Sequence, residues 1–320
     1  MSIPLIDDEV EMGSLRVLQN RQPEQAAGML AFYSSHLRGI TRDPALMSVP
    51  IDDHLCHRGH AVFDTANVCG GECFGLDFHL DRLIKSAGNA KMPLGPYNKE
   101  SLRKIILATL AVAGKRDGVF VRYWFSVGRG DFSVSPKHCL EPSFFVVVHG
   151  AMTGSVPAGV MPGKSEMKLT GVKEYFVSVP TKPKLLANIK SNNYMINALC
   201  CMESSAKGGY LGIQIDQDGN VAEGAVANIA IITKEKIFRT PHFDNILAGT
   251  TVRRCFAIGE QMVKQGTLRK MEFATLKPDD VRNAEEVISL GGGHIVPVIA
   301  VDDKPIGTFC VAMPLERGSR

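Results

Sequence analysis

Leu185-Leu186-Ala187-Asn188-Ile189-Lys190-Ser191-Asn192-Asn193-Tyr194 is the stretch on which the reading of this chain turns. A lysine closes a largely apolar run and small polar residues follow it. Loss of water around an ammonium disfavours its charge, so a lysine in such a setting can serve as an amine nucleophile. Most lysines are solvated surface groups. Lys190 therefore takes its meaning from what lies around it in the sequence.

Three further elements carry chemistry of a matching kind. Downstream, Val221-Ala222-Glu223-Gly224-Ala225-Val226-Ala227-Asn228 sets a glutamate after a turn and among small residues. Small neighbours let a flat ring approach the backbone, and a carboxylate facing a pyridine nitrogen holds that nitrogen protonated. By itself, a strand-end glutamate more often faces water. Further on, Leu247-Ala248-Gly249-Thr250-Thr251-Val252-Arg253-Arg254 opens a helix with a glycine and two threonines. Free N–H groups of a first helical turn bind phosphate, and hydroxyls add donors. A simple Thr-capped helix is an equal reading of those residues. Upstream, His79-Leu80-Asp81-Arg82-Leu83 puts an arginine early in an amphipathic segment, where its fork of donors could reach a phosphate or make a surface ion pair.

The elements around these motifs alternate between strand and helix. Gly59 to Val68, Gly118 to Val127 and Ser143 to His149 read as strands. The unbroken Phe144-Phe145-Val146-Val147-Val148 predicts burial on both faces. A helix begins at His79 with apolar positions 80, 83, 84 and 87 on one face. Ser101 to Ala113 is a second helix, with Ser101 as its N-cap. Gly154, Gly159 and Gly163 with Pro157 and Pro162 interrupt the pattern and mark the domain boundary. Beyond it come a strand at Tyr175–Val179 and a helix from Asn192 to Ala206. Tyr210–Ile215 and Ala227–Thr233 read as an antiparallel pair about the turn at Asp218-Gly219-Asn220. Thr250 to Gln265 is a helix, and Glu286–Leu290 and Ile295–Val301 are short strands around a triple glycine. The organisation expected is an arm over 1–28, an N-terminal domain over 29–150, a linker over 151–170 and a C-terminal domain over 171–320. Short mixed strands and helices in both halves indicate an α+β or α/β fold, not a doubly wound nucleotide-binding one.

The bulk numbers exclude several classes. A chain of 320 residues is long for a single core. Apolar residues make up 45% and charged ones 22%, and the net charge is +3, too small to give a general field for nucleic acid or an anionic membrane. No run approaches the roughly 18 apolar residues of a membrane helix. The eight cysteines, at 56, 69, 73, 139, 200, 201, 255 and 310, include no CxxC pair. They read as reduced thiols with no metal site. Asp7, Asp8, Glu9 and Glu11 make the start unlike a secretory signal or a transit peptide, so the cytosol is the expected compartment, or a plastid if a transit peptide has been removed.

In order and spacing, the four motifs resemble those of the class IV aminotransferases, the fold type IV pyridoxal-phosphate enzymes, and the likeness runs from about Met47 to Gly307. The resemblance implies an α+β chain of two domains, a smaller N-terminal and a larger C-terminal one, with pyridoxal 5′-phosphate in the cleft between them. It implies that Lys190 carries the cofactor as a Schiff base and acts as general base and acid. Arg82, Thr250 and Thr251 would hold the phosphate, Glu223 the pyridine nitrogen, and Asn228 would complete the Glu-Gly-x-x-x-Asn element. Tyr194 falls where branched-chain aminotransferases have a tyrosine near the cofactor phenolate. Gly291 and Gly292 fall in the loop whose N–H groups face the substrate carboxylate. The family generally forms homodimers and takes an amino acid and a keto acid.

His57-Arg58-Gly59-His60-Ala61-Val62-Phe63-Asp64-Thr65 and Arg122-Tyr123-Trp124-Phe125-Ser126 resemble plant D-amino-acid transaminase-like proteins most. That implies transfer between a D-amino acid and 2-oxoglutarate or pyruvate. Three departures qualify it. Phe132-Ser133-Val134-Ser135-Pro136 lacks the Arg-x-His carboxylate trap of bacterial D-amino-acid transaminases. Phe63 stands where they have tyrosine, and Ala225-Val226-Ala227 replaces a serine-rich run. Arg129 or His60 is then a substitute partner for the substrate carboxylate. Aminodeoxychorismate lyase, branched-chain L-amino-acid transaminase and a non-catalytic cofactor-binding protein stay open as alternatives.

Overall fold

The structure, a computed structural model, describes residues 27–115, 117–150 and 171–307. Most of the expected arm over 1–28 and all of the expected linker over 151–170 lie outside them. The described residues fall into two compact units. The first holds those up to 150 together with Ile189–Asn192, and the second holds those from 171 to Asn188 and from Asn193 onward.

The first unit is one antiparallel sheet with helices on it. Its strands are β1 (Met29–Ser34), β2 (Gly39–Thr41), β3 (Ala61–Cys69), β4 (Glu72–Cys73), β5 (Val119–Ser126) and β6 (Ser143–Gly150). They lie in the order β2-β1-β6-β5-β3-β4. The helices are the short α1 (His54–His57), then α2 (Leu76–Asn89) and α3 (Lys99–Ala113). The continuous apolar run of β6 is buried on both faces, as its composition predicts. Phe144, Val146 and Val148 join Leu80, Leu83, Leu102 and Ile106 in the main core, while Phe145 and Val147 pack with Phe32 and Trp124 on the other side. Each such side chain contributes about 1.5–3 kcal/mol by leaving water.

Three helix starts differ from expectation. The helix expected from Asn192 begins at Met195. Helix α2 begins at Leu76, not His79, because Gly75 takes the left-handed conformation (φ 62°) that lets the chain turn into it. Asn98 caps α3, not Ser101. Asn98 Oδ1 accepts from Ser101 N at 2.9 Å while Ser101 Oγ accepts from Asn98 N at 2.9 Å, a reciprocal capping box in which Ser101 is the third helical residue.

Ile189–Asn192, expected within 171–320, makes its contacts in the first unit. Ser191 bridges Val62 in antiparallel fashion, Phe63 N donates to Lys190 O at 2.9 Å, and Asn192 N donates to Ala61 O at 2.9 Å. Ile189 is buried in the main core. The lysine is thus carried on a short pairing along β3 and is fixed by backbone hydrogen bonds on both sides.

The second unit is built on a ten-stranded sheet. It contains β7 (Val172–Glu174), β8 (Phe176–Val177), α4 (Lys184–Ala187), α5 (Met195–Ala206), β9 (Ile213–Ile215), β10 (Val221–Gly224), β11 (Asn228–Ile232) and β12 (Ile237–Thr240). Then come α6 (Thr250–Lys264), β13 (Lys270–Phe273), α7 (Pro278–Arg282), β14 (Glu286–Gly291), β15 (His294–Val301) and β16 (Lys304–Pro305). The main path runs β16-β15-β14-β11-β10-β9-β8. β11 is buried along its whole length: Ile229 and Ile231 face one core, Ala230 and Ile232 the other, where Val252 and Cys255 of α6 pack. The expected pairing of 210–215 with 227–233 is replaced by a three-strand meander. β10, which carries Glu223, lies between β9 and β11 and pairs with each antiparallel. Its Val221 and Gly224 bracket a register shift against β9, a bulge that re-aims the residues between them.

Candidate active site

In the first unit, Lys190 and Phe63 are brought together. Lys190 Nζ lies 4.6 Å from the centroid of the Phe63 ring, and Lys190 N donates to Ser86 Oγ at 3.2 Å. An amine held against an aromatic face can shed water, yet keeps a favourable contact when charged. One residue along β3, Asp64 is fully buried beneath Arg82. Arg82 Nε donates to Asp64 Oδ2 at 2.8 Å and Arg82 Nη2 to Asp64 Oδ1 at 2.7 Å; His79 Nδ1 lies 3.0 Å from Oδ1. Burial by itself would raise the Asp64 carboxyl, but the Arg82 guanidinium and the His79 ring overcome it and hold the group well below the usual carboxylate range. The forked pairing fixes the Arg82 plane.

Arg129 belongs elsewhere. Its Nε and Nη2 donate to the Asp52 carboxylate at 2.8–3.0 Å, and the pair is largely exposed. Its side chain has no other partner among the described residues. His60 Nε2 lies 3.1 Å from Ala90 O.

In the second unit, four sequence elements converge. Glu223 stands directly across from Asn228, and Asn228 Nδ2 donates to Glu223 Oε2 at 3.2 Å and to Leu247 O at 3.0 Å. Leu247 N donates to the same Glu223 oxygen at 3.3 Å. Gly249 then caps α6, and a Cβ there would collide with Asn228 Oδ1. Thr250 and Thr251 form the first turn of this 15-residue helix, and Gly293 N donates to Thr251 Oγ1 at 3.0 Å. The triple-glycine loop is thereby tied to the helix start. Gly291 packs so closely on Val226 and Ala227 that a Cβ would meet Val226 O at 2.8 Å. Tyr194 immediately precedes α5, with Lys182 Nζ 4.5 Å from its ring centroid.

Substituting Gly249 by alanine tests this packing. Asn228 is buried and doubly hydrogen-bonded, so it cannot swing away without releasing Glu223. We expect a loss of about 1–3 kcal/mol from overpacking, together with weaker cofactor retention, read by denaturant unfolding and by absorbance after gel filtration.

Asp64, Ser86 and Leu247 were not anticipated. Asp64 stands alone in an apolar strand, and the only signal is that a charge in such a run needs a partner. Nothing in sequence pairs it with Arg82, 18 positions on.

Each unit by itself carries part of a donor set: the first a primary amine on an aromatic face, the second a carboxylate tied to Asn228 and Leu247 close to a helix start with two hydroxyls. The glycines at 249 and 291 keep the backbone free of Cβ atoms beside those groups. Comparison with known proteins agrees. Residues 61–301 match the class IV amino-transferase family. A chloroplastic D-amino-acid transaminase of Arabidopsis thaliana is 42% identical over 280 residues, 87% of this chain and 71% of that protein. Among solved structures, a Thermoproteus uzoniensis branched-chain aminotransferase with norvaline superimposes at a TM-score of 0.75, with 20% identity, over 89% of this chain and 91% of its own. A T.th. branched-chain aminotransferase, complexed with N-(5′-phosphopyridoxyl)-L-glutamate, gives 0.74 at 20% identity over 87% and 88%. By fold and family match, this chain is a class IV aminotransferase, an α+β enzyme that works with pyridoxal phosphate.

Proposed function

We propose that this aminotransferase moves an amino group between a D-amino acid and a 2-keto acid such as 2-oxoglutarate or pyruvate. The observation that carries the D-preference is the 42% identity to the Arabidopsis D-amino-acid transaminase. Pyridoxal phosphate, when bound, supplies an electrophilic carbonyl and a ring that accepts electrons from the substrate Cα.

The chain's own residues do the rest. Lys190 Nζ would take the proton from the substrate Cα and hold it for return, a general base and then a general acid. Glu223 holds a proton on the ring nitrogen, and Asn228 and the Leu247 N–H keep its carboxylate aimed. Thr250, Thr251 and the α6 N–H groups bind phosphate, with Arg82 as the cation assigned to it. Tyr194 is assigned to the cofactor phenolate. Phe63 shapes the substrate side of Lys190, and Gly291 and Gly292 offer N–H groups to the substrate carboxylate. Arg129 remains the proposed carboxylate partner only if substrate draws it from Asp52, and its bidentate ion pair argues for the glycines first.

The working unit we propose is a homodimer. Seven of the cysteines are free thiols, which suits a reducing compartment: the cytosol, or the plastid named for the Arabidopsis relative. Among the described residues no helix is long and apolar enough to cross a membrane.

The test is incubation with D- and L-alanine, methionine and leucine against 2-oxoglutarate. Keto acid from the D-isomers supports the reading. Turnover of L-leucine alone would make it a branched-chain enzyme. Pyruvate released from aminodeoxychorismate without an amino acceptor would make it a lyase, and bound cofactor without turnover a binding protein.

A further inference from the structure

Glu174, at the end of β7, is fully buried and takes no part in the chemistry assigned above. Its carboxylate accepts from Leu211 N at 3.2 and 3.0 Å and from Gly212 N at 2.7 Å. The same dipeptide is gripped from the other side, where Cys200 Sγ donates to Leu211 O at 3.3 Å. Gly212 has φ 78°, and a Cβ on it would meet Val177 Cγ1 at 2.8 Å and Cys200 O at 3.0 Å. The chain there is held in a conformation suited to glycine, at the entrance to β9.

That entrance sets the register of β10. Ile213 pairs with Gly224, next to Glu223, across the bulge. Gly212 O lies only 3.0 Å from where a Gly224 Cβ would be, so these two backbones are in close contact. A shift at Leu211–Gly212 therefore moves Gly224, and with it the aim of Glu223.

We propose that Glu174 is a positioning residue for Glu223: its carboxylate clamps Leu211–Gly212 and thereby holds the bulge from which Glu223 points. The inference rests on the role proposed for Glu223. Cys200 of α5 and Tyr210 face Glu174, with Ser204 beside them; Lys173 and Tyr175 flank it, and Asp302 N donates to its backbone carbonyl. Among the described residues burial is the largest influence on its carboxylate and pushes it up to about 7, against the pull of the N–H donors and the Ser204 hydroxyl. Protonation removes one acceptor from a clamp of three N–H bonds, which makes the clamp sensitive to pH near neutrality.

The experiment is hydrogen–deuterium exchange on the cofactor-loaded enzyme at pH 6 and pH 8, corrected for the chemical exchange rate, beside steady-state kinetics. In the wild type, peptides spanning 211–224 should exchange faster at pH 6 than at pH 8. In Glu174→Gln they should exchange fast at both, and kcat should fall at least fivefold with KM changed less than twofold, without the limb near pH 7. Unchanged protection in Glu174→Gln, or equal protection of the wild type at both pH values, overturns the proposal. The wild-type comparison decides the matter even if the variant fails to fold. Glu223→Gln is measured in parallel. A fall in kcat of less than tenfold there sinks the role of Glu223 itself, while the exchange data still judge the clamp.

Discussion

Replacing Lys190 by alanine is expected to lower kcat by at least roughly 10³–10⁴-fold, because in the role proposed for it one amine both receives the cofactor and moves the substrate proton. The loss is not a stability effect. The main chain of Lys190, which carries its hydrogen bonds to Phe63 and Ser86, is unchanged by the substitution. The midpoint of denaturant unfolding without cofactor should therefore stay close to that of the wild type. Borohydride reduction of the wild type, followed by peptide mapping, should fix the cofactor on the peptide containing Lys190 and leave none on the variant. Label recovered on Lys182 or Lys184 would remove Lys190 from its assigned place. Lys184 is the nearer of the two in sequence, and the Lys182 ammonium is already seated on the Tyr194 ring.

The second large effect is expected at Asp64. Truncation to alanine leaves the mostly buried Arg82 guanidinium without its carboxylate, and breaking one side of such a pair costs about 3–5 kcal/mol. Denaturant unfolding measures it. The pH dependence has a definite sign. The folded-state pKa of Asp64 is depressed, so its ionisation contributes fully above the unfolded carboxylate range of about 3.9 and is lost as pH falls toward the folded value. Wild type and variant should thus converge in stability only in strong acid. Cofactor affinity should fall in the variant as well, since an Arg82 without its forked partner no longer holds one plane. Equal stability of the two proteins at pH 7 would show that Arg82 finds water or another acceptor instead.

Much of this is legible in the sequence. The alternation of strand and helix indicates an α+β or α/β fold, the family resemblance selects α+β, and the doubly apolar run at Phe144–Val148 announces a strand covered on both faces. The joint order of His79–Leu83, Lys190, Glu223–Asn228 and Gly249–Thr251 carried the family, though each motif alone had an ordinary reading. What stayed hidden depends on long-range geometry. Val221–Gly224 is too short and too rich in small residues to signal a strand, so the meander that sets Glu223 beside Asn228 could not be read. Asn98 and Ser101 are both good capping residues, and only backbone angles decide which one caps. The Asp64–Arg82 pair and the Glu174 clamp join residues from separate elements, and neither leaves a local pattern.

The docking of Ile189–Asn192 against β3 has a consequence for how the enzyme comes into being. Lys190 and Ser86, joined by a hydrogen bond, are 104 residues apart in the chain. Closing so long a loop costs entropy that rises slowly with length but must be met before the contact returns anything, and such distant pairings slow folding. The sheet of the first unit can form from strands made early in synthesis, whereas its reactive amine arrives only after the intervening chain has emerged. Cofactor capture thus serves as a completion signal: during refolding, the appearance of bound chromophore should trail the burial of Trp124, and the lag between them times the last step of assembly.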